Sequence, residues 1–267
     1  MSNAYALLYQ RRHSWLDRRD PRMKIIAVLL AGAALLLTQH PGIKTLQLLL
    51  LFLLWALARL PWKMLVLTLL SLSIFFVSTM IYQAMLTPLP GEERVIWGGI
   101  AFSSAGALRG VMMCEQIAGI VLLLALLVRT TAPVQLAEGL EILLGGLKKW
   151  RFPVHEAVMM FSIALRFLPD LLTEFDKIRK AQIARGGGFH RKNFLIRFQG
   201  VFPMLMPLFV IAILRAKDLA VAMESRGYRG DEGRTPIRIY RFNRGDYALL
   251  AGAALELLTA MGMLVWR

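Results

Sequence analysis

Two stretches of the sequence end alike: Ala181-Gln-Ile-Ala-Arg-Gly186 and, 41 residues further along, Ala222-Met-Glu-Ser-Arg-Gly227. Each ends a charged segment of helical character that follows an apolar one. A glycine accepts the left-handed backbone conformation that closes a helix, and a cation in the last turn interacts favourably with the negative end of the helix dipole. An arginine at a helix end can also pair its planar guanidinium with a carboxylate of a partner. Capping and docking are compatible, so the repeated ending supports both roles.

The composition is typical of a membrane protein with basic segments. Of the 267 residues, 57% are hydrophobic, which is more than an ordinary soluble domain carries. The formal net charge of +15 would suggest nucleic acid as the partner of a soluble protein. The long apolar runs instead favour positively charged cytoplasmic segments of a membrane protein, with no nucleic-acid partner. The single cysteine, Cys114, excludes an internal disulfide.

Five apolar runs predict about five transmembrane helices, since a helix needs about 20 apolar residues to cross a bilayer. The runs lie at residues 25–38, 43–58, 64–86, 105–128 and 247–266. The sequence therefore predicts an all-α, polytopic membrane protein. Its predicted parts are a cytoplasmic N-terminus (1–24), a four-helix transmembrane region (25–128), a basic cytoplasmic or interfacial region (129–244) and a last transmembrane helix (245–267).

The charges of the connections alternate as the positive-inside rule requires. Arg59 and Lys63 follow the second apolar run, whereas Glu92 and Glu93 lie in a proline- and glycine-rich loop (87–104) after the third. The basic N-terminus and the basic region after the fourth run agree with this alternation. We therefore expect the N-terminus in the cytoplasm and the C-terminus outside.

The region 129–244 predicts long amphipathic helices. Pro133 starts the first, and Pro153 starts a second that is apolar in its first half and charged in its second. After a basic, glycine-rich linker (186–197), residues 201–226 repeat this plan. We expect the two repeated helices to lie partly at the membrane interface and partly in the cytoplasm, packed through their apolar stripes.

Catalytic and nucleotide-binding signatures are missing from the sequence. His155-Glu156 begins like a zinc-protease motif, but Met159 occupies the position of the second histidine. The glycine-rich segment 186–192 lacks the spacing of a Walker A motif, and no serine or threonine follows its lysine. We therefore expect no catalytic residues, no ATP binding, no cofactor and no metal site.

One acidic residue, Glu115, falls inside the fourth apolar run. A charge within a membrane span is by default a hypothesis for a functional site. Structural pairing inside the helix bundle would also account for it, and the sequence leaves both explanations open.

Several motifs together resemble the T component, the transmembrane coupling subunit, of energy-coupling factor (ECF) transporters. Besides the two repeated endings they are Asp20-Pro-Arg-Met-Lys24, Pro153-Val-His-Glu156 and Ala164-Leu-Arg-Phe-Leu-Pro169. The resemblance runs nearly end to end. The second ending, extended to Thr235, is more similar to the shared vitamin-transporter branch than to the dedicated cobalt branch. One departure from the family pattern is Ser225, where alanine is common.

The resemblance implies three coupling helices at about 133–149, 153–185 and 201–226. Two ABC-type ATPases would bind the arginine-bearing ends, with Arg185 and Arg226 each in an acidic groove of one ATPase. The residues of this ATPase-coupling site are Ala184, Arg185, Gly186, Ser225, Arg226 and Gly227. The apolar surface of the same helices would hold one or more small membrane S components that bind the vitamin or other micronutrient.

The implied location is the cell membrane of a prokaryote, and ATP hydrolysis is expected in the partner subunits. Three alternatives stay open at this point. The first is a T component dedicated to cobalt or nickel uptake. The others are a membrane-embedded enzyme, and a membrane anchor or scaffold whose basic helices bind anionic lipid.

The predicted topology can be tested with single cysteines placed at positions 93 and 190 after replacement of Cys114 by alanine. Because the loop charges place position 93 outside and position 190 inside, a membrane-impermeant thiol reagent should label Glu93→Cys but not His190→Cys in whole cells. Both cysteines should react once the cells are permeabilised. The reverse pattern in intact cells would overturn the assignment.

Overall fold

The computed structural model describes residues 14–17, 19–86, 95–97, 100–145, 154–186, 194–228, 230 and 242–266. These residues are almost entirely helical, which confirms the predicted all-α membrane class. The helices are α1 (Pro21–Leu37), α2 (Pro41–Leu57), α3 (Trp62–Ser71), α4 (Ser73–Leu86), α5 (Ser104–Thr130), α6 (Pro133–Leu144), α7 (Val154–Ala184), α8 (Phe194–Ser225) and α9 (Arg244–Val265). The chain divides into two compact units, Met1–Leu143 with Ile239–Arg267, and Leu144–Arg238.

The predicted apolar runs all form helices, with one interruption. Helices α5 and α9 are long and apolar enough to cross a membrane, and α3 with α4 would form a third span if the two are one segment. They are separated by a 47° bend. The Thr68 Oγ1 donates to the Met64 carbonyl (2.8 Å) and the Ser71 Oγ donates to the Thr68 carbonyl (2.7 Å). Such bonds compete with the backbone ladder and bend helices, so the third predicted span is broken rather than straight.

Two predicted irregular segments contain regular structure. The loop 87–104 includes a short antiparallel hairpin of β1 (Val95–Trp97) and β2 (Ile100–Phe102), in which Ile96 pairs with Ala101. The β-branched and aromatic residues of these two segments favour strands. The predicted linker 186–197 is also too long, because α8 already begins at Phe194. Helix α6 covers 133–144 of the predicted 133–149, and residues 146–149 lie outside the described residues.

The first unit is packed through small residues. On α1, Ala27 and Ala31 are buried in one cluster with Ala253 of α9. On α5, a Cβ built on Gly119 would lie 3.1 Å from a methyl carbon of Leu35. Small side chains let membrane helices approach closely where apolar burial alone provides no driving force.

The segment that precedes α1 belongs to this packed unit. Leu16 is buried among residues of α2, α3 and α5, in a cluster that also holds Trp55 and Leu126. Ser14 and Asp20 are buried as well. The sequence predicts only a polar, basic N-terminus here, because a single leucine among charged residues carries no periodic signal.

The close contact of α4 and α5 predicts the effect of a glycine substitution. A Cβ built on Gly106 would overlap the backbone carbonyl oxygen of Gln83, which cannot move aside as a flexible side chain could. We expect Gly106→Ala to destabilise the protein by about 1–3 kcal/mol and to lower its apparent melting temperature in detergent. The matched control is Gly252→Ala in α9, where a Cβ would meet nothing within 4 Å. It should be neutral or stabilising by up to about 1 kcal/mol. Equal melting temperatures for the two variants would contradict this packing.

Candidate functional site

The first predicted site residues form the C-terminal end of α7. The helix ends at Ala184, and the Arg185 N–H donates to the Ala181 carbonyl at 3.2 Å. The Gly186 N–H donates to the Ile183 carbonyl at 3.0 Å, and Gly186 adopts a positive φ of 81°. Glycine takes this left-handed conformation without a steric penalty, which explains why the chain leaves the helix here.

The second predicted site residues end α8 in the same way. The Gly227 N–H donates to the Glu224 carbonyl (2.9 Å) and the Tyr228 N–H donates to the Met223 carbonyl (3.1 Å). Gly227 has a positive φ of 72°. These two bonds and the left-handed glycine make a Schellman motif. Ser225 adds a bond from its Oγ to the Ala222 carbonyl at 3.0 Å, which a serine can supply and an alanine cannot.

Both arginines occupy the last position before the left-handed glycine, and both are exposed. The same is true of their neighbours, since all six predicted site residues are exposed: Ala184, Arg185, Gly186, Ser225, Arg226 and Gly227. Within the described part of the chain, no carboxylate lies within ion-pair distance of either guanidinium. The structure therefore places the predicted residues at two exposed helix ends, where each arginine is open to an acidic partner.

An ion pair joins α7 to α8 within the second unit. The Arg215 Nη1 lies 3.4 Å from the Asp170 Oδ2, and the Arg215 Nη2 lies 3.6 Å from the Glu174 Oε1. These side chains are partly exposed, so the pair contributes little stability, roughly 0–1 kcal/mol. The pair shows which turns of the two helices meet.

The ion pair lies at equivalent positions of the two repeated segments that end at Arg185 and Arg226. Glu174 precedes Arg185 by 11 residues, and Arg215 precedes Arg226 by 11 residues. At 1.5 Å per residue, each helix extends about 16 Å from the ion pair to its terminal arginine. The sequence prediction missed this contact, although aligning the two endings places Glu174 and Arg215 at equivalent positions with opposite charges.

Both helices of this unit also carry exposed apolar surface. None of the described side chains of α7 is fully buried. On α8 the middle of the helix exposes a run of large apolar side chains: Phe202, Leu205, Met206, Phe209, Val210, Ile213 and Leu214. A continuous exposed apolar surface of this kind is typical of helices that contact a membrane or a partner protein.

A second polar site lies in the first unit, at the N-terminal end of α1. The Lys24 Nζ donates to the backbone carbonyl of Thr130, at 2.9 Å, and to the Thr131 Oγ1, at 3.2 Å. Lys24 lies just ahead of the apolar run 25–38, and burial lowers its pKa to about 8. The nearby carboxylates of Asp17, Asp246 and Asp20 act in the opposite direction and raise this pKa. Through its two hydrogen bonds Lys24 binds the C-terminal end of α5.

The carboxylates around Lys24 also have partners. The Asp20 side chain accepts from the Arg22 backbone N–H at 2.9 Å and forms an ion pair with the Arg22 guanidinium at 2.9 Å. The Asp20 N–H donates to the Asp246 Oδ1 at 3.3 Å. The resemblance pointed to residues 20–24 without giving them a role. In the structure they cap α1 and hold it against α5 and α9.

Glu115 has a structural partner. The Thr45 Oγ1 of α2 donates to the Glu115 Oε1 of α5 at 3.2 Å, and the neighbouring Lys44 Nζ donates to the Gln116 Oε1 at 2.8 Å. These contacts place the Glu115 carboxylate in an exposed hydrogen bond where α2 meets α5. Among the described residues, no group of three or more His, Cys, Asp and Glu side chains is placed to hold a metal ion.

Comparison with known proteins gives matches over most of the chain. A family model described as "Cobalt transport protein" (CbiQ) matches residues 12–237. The energy-coupling factor transporter transmembrane protein EcfT of Acidaminococcus fermentans is 37% identical over 258 residues, which is 97% of this chain and 95% of the relative. The EcfT of Heliobacterium modesticaldum is 40% identical over 232 residues (87% and 86%), and that of Bacillus subtilis is 38% identical over 229 residues (84% of each).

The structure contains helices apolar enough to cross a membrane, and the similar proteins are transmembrane components of transporters, so the chain is of the class of membrane transporter components. The length and identity of the matches make the family certain: the chain belongs to the T components of energy-coupling factor transporters. This confirms the family that the sequence motifs predicted.

The left-handed conformation of Gly186 and Gly227 predicts that replacing either glycine with alanine destabilises the helix end before it. A Cβ built on Gly186 or Gly227 would meet no atom within 4 Å, so any cost of substitution is backbone strain rather than crowding. We expect Gly186→Ala and Gly227→Ala each to destabilise its helix end by about 1–2 kcal/mol. Amide hydrogen exchange should then quicken in the last turn of the altered helix alone. The control Gly262→Ala, in an open position of α9 without a positive φ, should leave both ends unchanged. Unchanged exchange in all three variants would show that the caps are not strained.

Proposed function

We propose that this chain is the energy-coupling subunit of an ECF-type ABC importer in a prokaryotic cell membrane. In this proposal two ABC-type ATPases bind the ends of α7 and α8, and their ATP-driven motion is passed through these helices to an S component that binds the solute. The observation that carries the proposal is the pair of matching helix ends, each with an exposed arginine held ahead of a left-handed glycine.

The chemistry of the two ends suits docking into an acidic groove. A guanidinium presents its donors in a planar fork that matches a carboxylate in a bidentate pair. Because a capped helix end holds its backbone in place, little backbone conformational entropy is lost when the arginine is inserted. The equal spacing of Arg185 and Arg226 from the ion pair between α7 and α8 favours two equivalent docking sites, hence two ATPases.

The exposed apolar surface of α8 supports an S component as the membrane partner. We assign the solute to the vitamin class because the second ending, up to Thr235, resembles the shared branch of the family. The description of the matching family as a cobalt transport protein supports the second candidate, a T component dedicated to cobalt or nickel uptake. Identification of the small membrane proteins that co-purify with this chain would separate the two.

The proposal assigns ATP hydrolysis to the partner subunits and gives this chain no catalytic role. It also keeps the topology predicted from the loop charges, with the N-terminus in the cytoplasm and the C-terminus outside. A membrane-embedded enzyme would need a convergent set of reactive side chains, and a passive anchor would not need matching arginines at two helix ends.

Substitution of the paired arginines tests the proposal. If each guanidinium is inserted into an acidic groove, Arg185→Ala or Arg226→Ala leaves a desolvated carboxylate of the ATPase unpaired, at a cost of about 2–5 kcal/mol of binding. We expect normal membrane insertion, weaker co-purification of co-expressed ATPases and reduced solute uptake, with the double variant worse than either single one. Arg→Lys should rescue only in part, because lysine lacks the planar fork.

Two exposed lysines serve as matched controls, Lys180→Ala about one turn before the end of α7 and Lys217→Ala about two turns before the end of α8. Each removes one positive charge and should leave ATPase binding and uptake near wild type. Wild-type ATPase co-purification and uptake for the double arginine variant would reduce both motifs to ordinary helix caps and would remove the main support for the proposal.

A further inference from the structure

A glutamate lies near the middle of α9, one of the helices long and apolar enough to cross a membrane. Glu256 follows Arg244, the first residue of the helix, by 12 residues and precedes Val265, the last, by nine. At 1.5 Å per residue, the two helix ends are about 18 and 14 Å away. Since the hydrocarbon core is about 30 Å thick, a glutamate side chain is too short to bring its carboxylate to either membrane surface. The carboxylate therefore has to be stabilised within the bilayer.

The Glu256 carboxylate has no hydrogen-bond or ion-pair partner among the described residues. The Thr259 Oγ1 donates to the backbone carbonyl of Glu256 at 2.8 Å, which leaves the side chain unused. Polar side chains of α2 and α5 are instead paired within the chain, since Thr45 donates to Glu115 and Lys44 donates to Gln116. We therefore look for the partner of Glu256 in another molecule.

Glu256 lies on a face of α9 beside the one that packs on α1. Ala253 of α9 is buried in one cluster with Ala27 and Ala31 of α1. The neighbouring face carries residues at intervals of four, three and four, and we name them the α9 seam: Gly252, Glu256, Thr259 and Met263. Glu256 is half-buried, and the other three are exposed. This spacing is that of a line of contact between two packed helices.

The α9 seam has room for a second helix. A Cβ built on Gly252 would meet no atom within 4 Å, so the backbone of another helix can approach closely at this position. Small residues at a contact and a polar side chain within it are what hold helices together in a membrane, because apolar burial provides no driving force there.

The charge of Glu256 decides which molecule fits the α9 seam. Lipid tails offer no hydrogen-bond donor, and the head groups lie too far from the middle of α9. A second copy of this chain, inserted in the same direction, would bring two carboxylates to the same depth, where like charges repel strongly at low dielectric constant. A helix with a lysine or arginine at this depth supplies the opposite charge, and its own cation needs a carboxylate equally.

We propose that the α9 seam is the docking face for a transmembrane helix of a partner protein that carries a lysine or arginine near the middle of the bilayer. The cation pairs with the Glu256 carboxylate, and the helix packs closely over Gly252 and Thr259. One polar contact within a line of helix packing also fixes the register of the two helices. This proposal does not depend on the binding of ATPases at the ends of α7 and α8.

The test measures binding of a synthetic probe helix to the full-length chain in phosphatidylcholine vesicles. The probe is a transmembrane peptide of leucine and alanine with one lysine at its centre, and a matched peptide has leucine at that position. The chain carries a fluorescent donor on Trp266→Cys in a Cys114→Ala background, and each peptide carries an acceptor. Energy transfer should show that the chain with Glu256 binds the lysine peptide about tenfold more tightly than the leucine peptide.

Variants of the seam separate the charge from the shape of Glu256. Glu256→Gln and Glu256→Leu should bind both peptides alike, because neither side chain carries a charge. Both variants should melt in detergent at a temperature equal to or above that of the wild type, since an unpaired charge within the membrane is removed. The control Thr259→Val changes a hydroxyl on the same seam and should keep the preference for the lysine peptide.

Two glycine variants test the close approach of the helices. Gly252→Leu should weaken binding of the lysine peptide about fivefold, because a side chain on the seam keeps the probe backbone away. The matched control is Gly262→Leu, at a position that is equally open but lies off the seam, and it should bind as the wild type does.

Three outcomes would overturn the proposal. Equal binding of the two peptides by the chain with Glu256 would mean that the seam does not recognise a cation. An unchanged preference for the lysine peptide in Glu256→Gln would place the cation elsewhere. Energy transfer between differently labelled copies of the chain that disappears in Glu256→Leu would show that a second copy occupies the seam.

Discussion

The packing of the first unit depends on a buried polar junction at the N-terminal ends of α1 and α9. Lys24 binds the last carbonyl of α5 through its Nζ, and the Asp20 N–H meets the Asp246 carboxylate. Asp246 also accepts the Asn243 N–H at 2.8 Å, so the same carboxylate caps α9. Buried charges are tolerated only when they are paired and hydrogen-bonded, because each unpaired group loses its hydration without compensation. The junction therefore fixes where three helices meet, and the apolar clusters pack around it.

Three helices in this chain, α2, α7 and α8, are each followed by a residue in the left-handed backbone conformation. At α7 and α8 a glycine takes the left-handed conformation, so the preceding arginine stays in ordinary geometry and points beyond a well-capped helix. At α2 the arginine itself takes the left-handed conformation, and buried neighbours hold it there. In the first two cases the fold presents an arginine without strain. In the third the buried neighbours hold a non-glycine residue in a conformation that carries a steric cost.

The distribution of apolar side chains distinguishes the packed interior of the first unit from its exposed surface. The interior of the first unit relies on alanine and glycine at the contacts of α1, α5 and α9, so the helices approach closely. Large apolar side chains are instead exposed on α3, α4 and the middle of α8. This is the reverse of a soluble protein, and it fits a subunit whose surroundings are lipid and other membrane proteins.

The sequence by itself determined the apolar helices, the repeated helix ends and the family, because apolar runs, capping residues and motif spacing are local properties of the chain. Glycine after arginine was enough to predict where α7 and α8 stop. Only the tertiary structure decided which distant groups meet. Asp20 and Asp246 are 226 residues apart, and Leu16 becomes a core residue only because α2, α3 and α5 pack around it. The ion pair of Arg215 with Glu174 and the bend between α3 and α4 likewise depend on how helices pack, which no local pattern encodes.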